Sequence, residues 1–124
     1  MSSKNLAAVE IKAFVPARDF ALSLDFYKAL GFVCGWQSDG MAYFHHDGCS
    51  FLLQNFHVQE YTENFMMHLL VENADDWHRE LLERGISEHF KVAISTPQDQ
   101  PWGMRDFTLF DPSGVLWRIG QNLD

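Results

Sequence analysis

The sequence is poor in basic residues and has no long apolar run. Nine Lys and Arg stand against 17 Asp and Glu, which gives a formal net charge of −8. Neutralising phosphates takes a basic patch, so neither nucleic acid nor an anionic membrane surface is an expected partner. No apolar stretch approaches the ~20 residues of a membrane span, and Met1–Glu10 lacks the apolar core of a signal peptide. We therefore expect a cytoplasmic protein without nucleic-acid or membrane partners.

Cysteine is scarce, and the usual signatures of covalent or phosphate chemistry are missing. The two cysteines, Cys34 and Cys49, have no metal-type spacing. Free thiols are the favoured interpretation, with a disulfide between them as the alternative. The chain has no G-x-S-x-G elbow, no Gly-rich phosphate loop and no H-E-x-x-H motif. The sequence therefore predicts no catalytic nucleophile.

Aromatic residues, in contrast, are abundant. Hydrophobic residues make up 47% of the 124-residue chain, and there are 11 Phe and four Trp. This balance is typical of a globular protein, and the length suits one domain over residues 1–124. The aromatic content exceeds what a small core needs, which suggests that part of it lines a cavity.

The first half of the chain, about residues 6–56, predicts a strand, a helix and three more strands. The strand covers residues 9–15 and ends at Pro16, which cannot donate to a sheet. Asp19 is a candidate helix cap, and Gly31 suits the left-handed residue that ends a helix. Two Asp-Gly turns then separate three apolar runs, as in hairpins. These runs cover residues 32–36, 41–45 and 50–56.

The second half, about residues 65–122, repeats that order after a polar linker at 57–64. Residues 65–71 predict a strand, and Asn73 caps a helix that ends at Gly85. The remaining segments are a β-rich run at 86–94, a polar loop at 97–101, and strands at 106–110 and 115–121 that flank an Asp-Pro-Ser-Gly turn. The fold class is therefore α+β, with two tandem βαβββ modules. We expect their curved mixed sheet to surround a cup whose inward faces line the functional site.

Two groups of motifs carry a family resemblance. The segment QPWGMRDFTLFDPSG, from Gln100 to Gly114, resembles the signature of bleomycin resistance proteins. The motifs Arg18-Asp19-Phe20, Phe26-Tyr27 and Leu30-Gly31-Phe32 are similar to the opening of the glyoxalase/bleomycin resistance/extradiol dioxygenase superfamily, which has the vicinal oxygen chelate fold. The resemblance implies a homodimer with ligand sites completed at its interface, and it allows exchange of the first strand between partners.

The same resemblance implies where a metal would bind. Enzymes of the superfamily hold a divalent ion with His, Gln or Glu on the first and last strands of each module. The corresponding positions here are Lys12, Leu52, Met66 and Arg118. A protonated lysine and an arginine have no lone pair to donate. A slip of two residues offers Glu10, Gln54 and His68 but only a glycine at 120. We therefore predict no metal and no cofactor.

The candidate ligand contacts are mostly aromatic. The resemblance places Trp102 in an aromatic groove at the dimer interface; the alternative is that it only fills the cup mouth or dimer seam. Trp36 and Phe44 are expected to face inward, whereas Trp117 is expected in the core. Inside the cup, His68, Arg118 and Lys12 should lie together. A buried cation needs a partner, which Glu10, an acidic ligand group or an internal salt bridge would supply.

The leading functional hypothesis is metal-independent binding of a planar, partly aromatic small molecule, most concretely sequestration of a bleomycin-type antibiotic. The first alternative is a metal-dependent lyase, isomerase or thiol transferase of the same superfamily. The second is a non-catalytic module that binds an unrelated metabolite.

Overall fold

The first half of the protein folds as a strand, a helix and three strands. The computed structural model describes residues 3–124. Met1 and Ser2 lie outside the described residues, although the predicted domain and the segment Met1–Glu10 include them. The elements are β1 (Phe14–Pro16), α1 (Phe20–Leu30), β2 (Val33–Gln37), β3 (Met41–His46) and β4 (Cys49–Gln54). Together the strands form sheet 1, in the order β1-β4-β3-β2, with β1 parallel to β4 and the other pairs antiparallel.

The second half repeats this arrangement with one additional helix. Its elements are β5 (Met66–Leu70), α3 (Ala74–Glu83), α4 (Ile86–Phe90), β6 (Gln98–Asp99), β7 (Met104–Phe110) and β8 (Leu116–Asn122), and α2 (Gln59–Glu63) lies in the connecting segment. Sheet 2 has the equivalent order, β5-β8-β7-β6. The α+β class and the repeated βαβββ order are confirmed. Across the described residues, no helix has the length and apolarity to cross a membrane.

The helix ends form where the sequence predicts them. The Asp19 side chain accepts a hydrogen bond from the backbone N–H of Leu22 at 3.1 Å, and Asn73 accepts one from Asp76 at 2.9 Å. Each bond satisfies an N–H that has no partner within the helix. At the end of α1, Gly31 has a φ of 114°, in the left-handed region that a side chain would strain.

The strand predicted over residues 86–94 is wrong, because α4 occupies most of it and only Ile94 makes an isolated β-bridge. Ile86 and Phe90 are four residues apart, which places both on one side of a helix. The ring of Phe90 meets that of Phe26 edge-on, with 5.2 Å between centroids. A short apolar run fits a helix or a strand equally well by pattern, and packing against α1 decides between them.

The first strand is shorter than its pattern. Of the predicted residues 9–15, only the last two belong to β1, which lies at the edge of sheet 1. The preceding residues 4–13, which we call the arm, form no helix or strand. Its apolar side chains Leu6, Val9 and Ile11 are almost fully exposed. Residues 9–13 therefore have the alternating sequence pattern of a strand but are not part of a strand pair in this chain.

The helix-covered sides of the two sheets share one hydrophobic core. The rings of Phe51 on β4 and Trp117 on β8 lie 5.4 Å apart, and Tyr27 of α1 contacts both at 4.9 and 5.7 Å. The Tyr27 hydroxyl donates to Oδ2 of Asp111 at 2.6 Å and accepts from Nε1 of Trp117 at 3.0 Å. Both apolar packing and buried hydrogen bonds therefore join the two modules.

The opposite sides of the sheets point away from this core, since successive strand residues alternate between faces. We call them the sheet 1 face, around Tyr43 and Leu52, and the sheet 2 face, around Asp106 and Arg118. In this chain each sheet has its own open face, and the two open faces point in different directions. Alternation shows which residues share a face, but not which face the other module covers.

Candidate ligand-binding site

An ion pair with a buried carboxylate lies at the centre of the sheet 2 face. Asp106 on β7 is 2% exposed, and its Oδ2 accepts a hydrogen bond from Nη1 of Arg118 at 2.9 Å. Gly120 lies directly opposite Asp106, and a Cβ at Gly120 would come within 3.2 Å of the Asp106 Cβ. A buried carboxylate without a partner lowers the stability of the fold, so the bond to Arg118 stabilises the sheet at this position. Of the alternatives for Arg118, the internal salt bridge is the one present.

The other oxygen of Asp106 holds the loop that carries Trp102. Nε2 of Gln100 donates to Oδ1 of Asp106 at 3.0 Å. The loop also closes on itself, because the Gln100 N–H donates to the Met104 carbonyl at 2.7 Å and the Gln100 carbonyl accepts from the Gly103 N–H at 3.1 Å. Gly103 has a φ of 85°, which suits a glycine. Trp102 therefore lies on a short, internally bonded loop.

Trp102 itself is largely open to solvent. It is 59% exposed, and its ring centroid lies 5.8 Å from Cζ of Arg118, within the range of a cation–π contact. Planar aromatic groups of a ligand favour such an indole because stacking combines apolar burial with favourable ring geometry. The position of Trp102 is thus compatible with the predicted ligand contact.

His68 joins this group, whereas Lys12 does not. His68 on β5 is the cross-strand partner of Arg118, and its Nε2 would lie 3.5 Å from a Cβ at Gly120. The expected proximity of His68 and Arg118 is therefore found. Lys12 lies against sheet 1 instead, so the expectation that all three share one interior is wrong. The cause is the back-to-back arrangement of the two sheets.

The sheet 1 face carries a second polar group, assembled from the arm. The Glu10 carboxylate accepts hydrogen bonds from Ser50 and from the Tyr43 hydroxyl, the latter at 3.0 Å. Nζ of Lys12 lies 3.7 Å from Glu10 and 5.7 Å from the Tyr43 ring centroid. The Ser50 bond, followed by the Tyr43 bond, lowers the pKa of Glu10, and the bond to Glu10 raises the pKa of Tyr43. Lys12, like Arg118, has an internal partner.

Trp36 and Phe44 lie on opposite faces of sheet 1, although both were expected to face inward. Phe44 is fully buried and stacks on Phe51 at 5.5 Å, so its predicted orientation toward a ligand is wrong. A bulge between Cys34 and Trp36 shifts the register, and Trp36 pairs with Tyr43. Cross-strand partners share a face. The extra residue therefore places Trp36 on the sheet 1 face, where it is exposed.

The remaining predictions concern packing residues. Trp117 is buried in the core, as expected. Cys34 and Cys49 are free thiols.

Sequence reasoning missed Asp106 and Gln100 as members of the site. The signal for Asp106 is present: it alternates with Phe107 and Leu109, which face the core. Strict alternation therefore places the carboxylate on the Arg118 face. Gln100 gives no such signal, because it lies in a loop without periodicity.

The residues present do not fit a divalent metal ion. The cross-strand partner of Leu52 is Phe14, and the partner of Arg118 is His68. Lys12 and Met66, which were expected at these two positions, each lie two residues earlier in the chain. The Phe14–Leu52 pair offers no lone-pair donor of the type that such an ion needs, and the His68–Arg118 pair offers only the imidazole. Among residues 3–124, no three His, Cys, Asp or Glu side chains come together as a ligand set.

Comparisons with known proteins point to one family. The model of the Glyoxalase/Bleomycin resistance protein/Dioxygenase superfamily matches residues 9–119. The solved bleomycin resistance determinant encoded on the transposon Tn5 has a TM-score of 0.79 at 24% identity, over 91% of this chain and 97% of that chain. A bleomycin-binding protein complexed with bleomycin gives 0.78 at 23%, over 91% and 98%. TnmS3, an antibiotic binding protein from Streptomyces sp. CB03234, gives 0.75 at 24%, over 95% and 99%. No curated protein sequence matches the chain.

Proposed function

Because the chain belongs to the glyoxalase/bleomycin resistance protein/dioxygenase superfamily, we propose that it binds a planar, partly aromatic small molecule without a metal ion and without chemical turnover. The concrete ligand is a bleomycin-type antibiotic, which the protein would sequester. The observation that carries this proposal is the exposed Trp102 indole, held over Arg118 by a loop anchored to a buried carboxylate. A similar fold holds bleomycin in one of the solved structures.

The charges of the two faces suit such a ligand. Asp106 compensates Arg118, and Glu10 compensates Lys12, so neither cation is left to repel a basic drug. The net charge of −8 attracts cations over a longer range. Stacking on Trp102 and release of water from the indole would then supply the affinity.

The proposal includes a homodimer. Large apolar side chains remain exposed on both open faces, which is unusual for a surface without a partner. They include Phe14, Trp36, Met66, Leu70, Trp102 and Phe110. A symmetric partner would cover these faces and complete the ligand site between them. The arm is the segment available for strand exchange, since its apolar side chains are almost fully exposed.

Titration with bleomycin tests the function. We expect a saturable change in tryptophan emission and a matching heat of binding by calorimetry. Trp102→Ala should weaken binding by about 1–3 kcal/mol, the cost of losing an aromatic anchor. Leu82→Ala is the matched control, because Leu82 is a similarly exposed apolar residue on α3 and should leave the affinity unchanged. Sedimentation of the same samples should give twice the 14.3 kDa of one chain.

Three outcomes would contradict the proposal. No binding of bleomycin or its copper complex at high micromolar concentration would exclude the drug. Unchanged affinity in folded Trp102→Ala would remove the indole from the site. Near-stoichiometric zinc, nickel, manganese or iron that survives dialysis would favour a lyase, an isomerase or a thiol transferase instead.

A further inference from the structure

We propose that Asp106 is the positioning residue of the Trp102 site, and that its charge makes the site select planar cations over planar anions. The inference rests on the proposed function, because it concerns the same site. It adds the charge class of the ligand and the residue that determines it.

The positioning argument starts from the two oxygens of one carboxylate. Oδ1 accepts from Gln100, which lies two residues before Trp102 in the same loop. Oδ2 accepts from Arg118, whose guanidinium lies under the Trp102 ring. One side chain therefore fixes both the backbone that carries the indole and the cation on which the indole rests. Loss of the carboxylate would remove the bonds to Gln100 and to Arg118 together, and the loop would keep only its backbone bonds.

Burial separates this role from direct contact with a ligand. Asp106 is 2% exposed, whereas Trp102 is 59% exposed. A ligand on the indole therefore meets Trp102 and the edge of Arg118, and Asp106 acts on it only through its two partners. This makes Asp106 a positioning residue and not a ligand contact.

The charge argument follows from the same bond. With Asp106 ionised, the guanidinium beside the indole is neutralised at 2.9 Å. Without it, Arg118 would carry an uncompensated positive charge close to the stacking surface and would attract an anionic ring. The chain as a whole is acidic, and its surface therefore favours cationic ligands. Removal of this single carboxylate should nevertheless reverse the preference for cations at the Trp102 site.

The test compares two tricyclic probes of opposite charge, 9-aminoacridine and anthracene-9-carboxylate, by calorimetry at neutral pH. Wild type should bind the cation more tightly. Asp106→Asn should shift the ratio of the two dissociation constants by about tenfold or more toward the anion, the effect of one close unit charge. Asp99→Asn is the matched control: Asp99 also pairs with an arginine, Arg105 at 3.0 Å, but it is exposed. It makes the same change in net charge and should leave the ratio unchanged.

A second substitution separates charge from shape. Adding Arg118→Gln to Asp106→Asn removes the surplus positive charge and retains a hydrogen-bonding pair. The probe ratio should then return to the wild-type value. An unchanged ratio in folded Asp106→Asn, or a ratio that stays shifted in the double variant, would overturn the charge claim.

Positioning can be measured without any ligand. The Trp102 indole N–H resonance, assigned by its loss in Trp102→Phe, should shift and broaden in Asp106→Asn and in Gln100→Ala but not in Asp99→Asn. Gln100→Ala also serves if Asp106→Asn does not fold. If neither probe nor bleomycin binds wild type, the proposed function and the charge preference both fail. An unchanged indole resonance in Gln100→Ala and Asp106→Asn would overturn the positioning role on its own.

Discussion

The two open faces of the protein carry the same three kinds of chemical group. Each has a carboxylate, a cation and an aromatic ring, and the cation lies at nearly the same distance from the ring centroid, 5.7 Å on sheet 1 and 5.8 Å on sheet 2. On the sheet 1 face the groups belong to Glu10, Lys12 and Tyr43. On the sheet 2 face they belong to Asp106, Arg118 and Trp102.

The difference lies in where the carboxylate comes from. The Glu10 side chain extends from the exposed arm, is 31% exposed and lies 3.7 Å from its cation. Asp106 belongs to a strand, is 2% exposed and lies 2.9 Å from Arg118. Solvent screens the first pair, and such pairs contribute little to stability. The second pair is fixed by the sheet, so only the sheet 2 face offers a preorganised stacking surface.

The largest expected effect concerns the core that both faces share. Tyr27→Phe leaves Oδ2 of Asp111 and Nε1 of Trp117 without a hydrogen-bond partner in the interior. Each unsatisfied group costs about 1–3 kcal/mol, so the free energy of unfolding should fall by about 2–6 kcal/mol. Urea unfolding followed by circular dichroism measures it. Tyr61→Phe is the control, because Tyr61 is an exposed tyrosine on α2.

The unfolding curve itself also matters for the comparison of the faces. One shared core predicts a single transition in wild type and in Tyr27→Phe. Two separate transitions would mean that the modules unfold independently, and each face would then have to be assessed as part of its own unit.

A smaller effect is expected from the sheet 2 carboxylate. Asp106→Ala leaves Arg118 and Gln100 without their acceptor. Because Arg118 is partly exposed and regains water, the loss of stability should be about 2 kcal/mol rather than the full cost of a buried charge. Asp99→Ala should not measurably shift the urea midpoint, since Asp99 is exposed. Equal effects of the two substitutions would contradict the contrast between buried and screened pairs.

Local signals made the fold predictable to a large extent. Asp19, Asn73 and Gly31 determine helix ends through bonds within a few residues, so their patterns are legible in the sequence. The orientation of Trp36 could not be predicted, because one bulge reverses the face of every later residue in β2. The orientation of Phe44 on β3 could not be predicted either, because alternation does not show which face of a sheet the core covers. The back-to-back packing of the two modules could not be predicted from the sequence either. It depends on Phe51 meeting Trp117, which are far apart in sequence.

The smallest expected effect tests the sheet 1 face. Since Glu10 has a lowered pKa, its bonds contribute stability above its ordinary pKa, and that contribution disappears as the pH falls through the lowered value. Glu10 is exposed, so Glu10→Gln should leave the urea midpoint unchanged at neutral pH. The informative signal is Tyr43, whose pKa the Glu10 carboxylate raises.

In Glu10→Gln the pKa of Tyr43 should move down toward its ordinary value. Tyrosinate absorbance during an alkaline titration measures this shift, and Tyr43→Phe identifies which of the three tyrosines responds. Asp106→Asn should leave the Tyr43 titration unchanged, because Asp106 lies on the other face. A Tyr43 pKa that does not respond to Glu10→Gln would mean that the arm does not hold its carboxylate against sheet 1 in solution. The sheet 1 face would then have no carboxylate beside its cation, whereas the sheet 2 face has Asp106 beside Arg118.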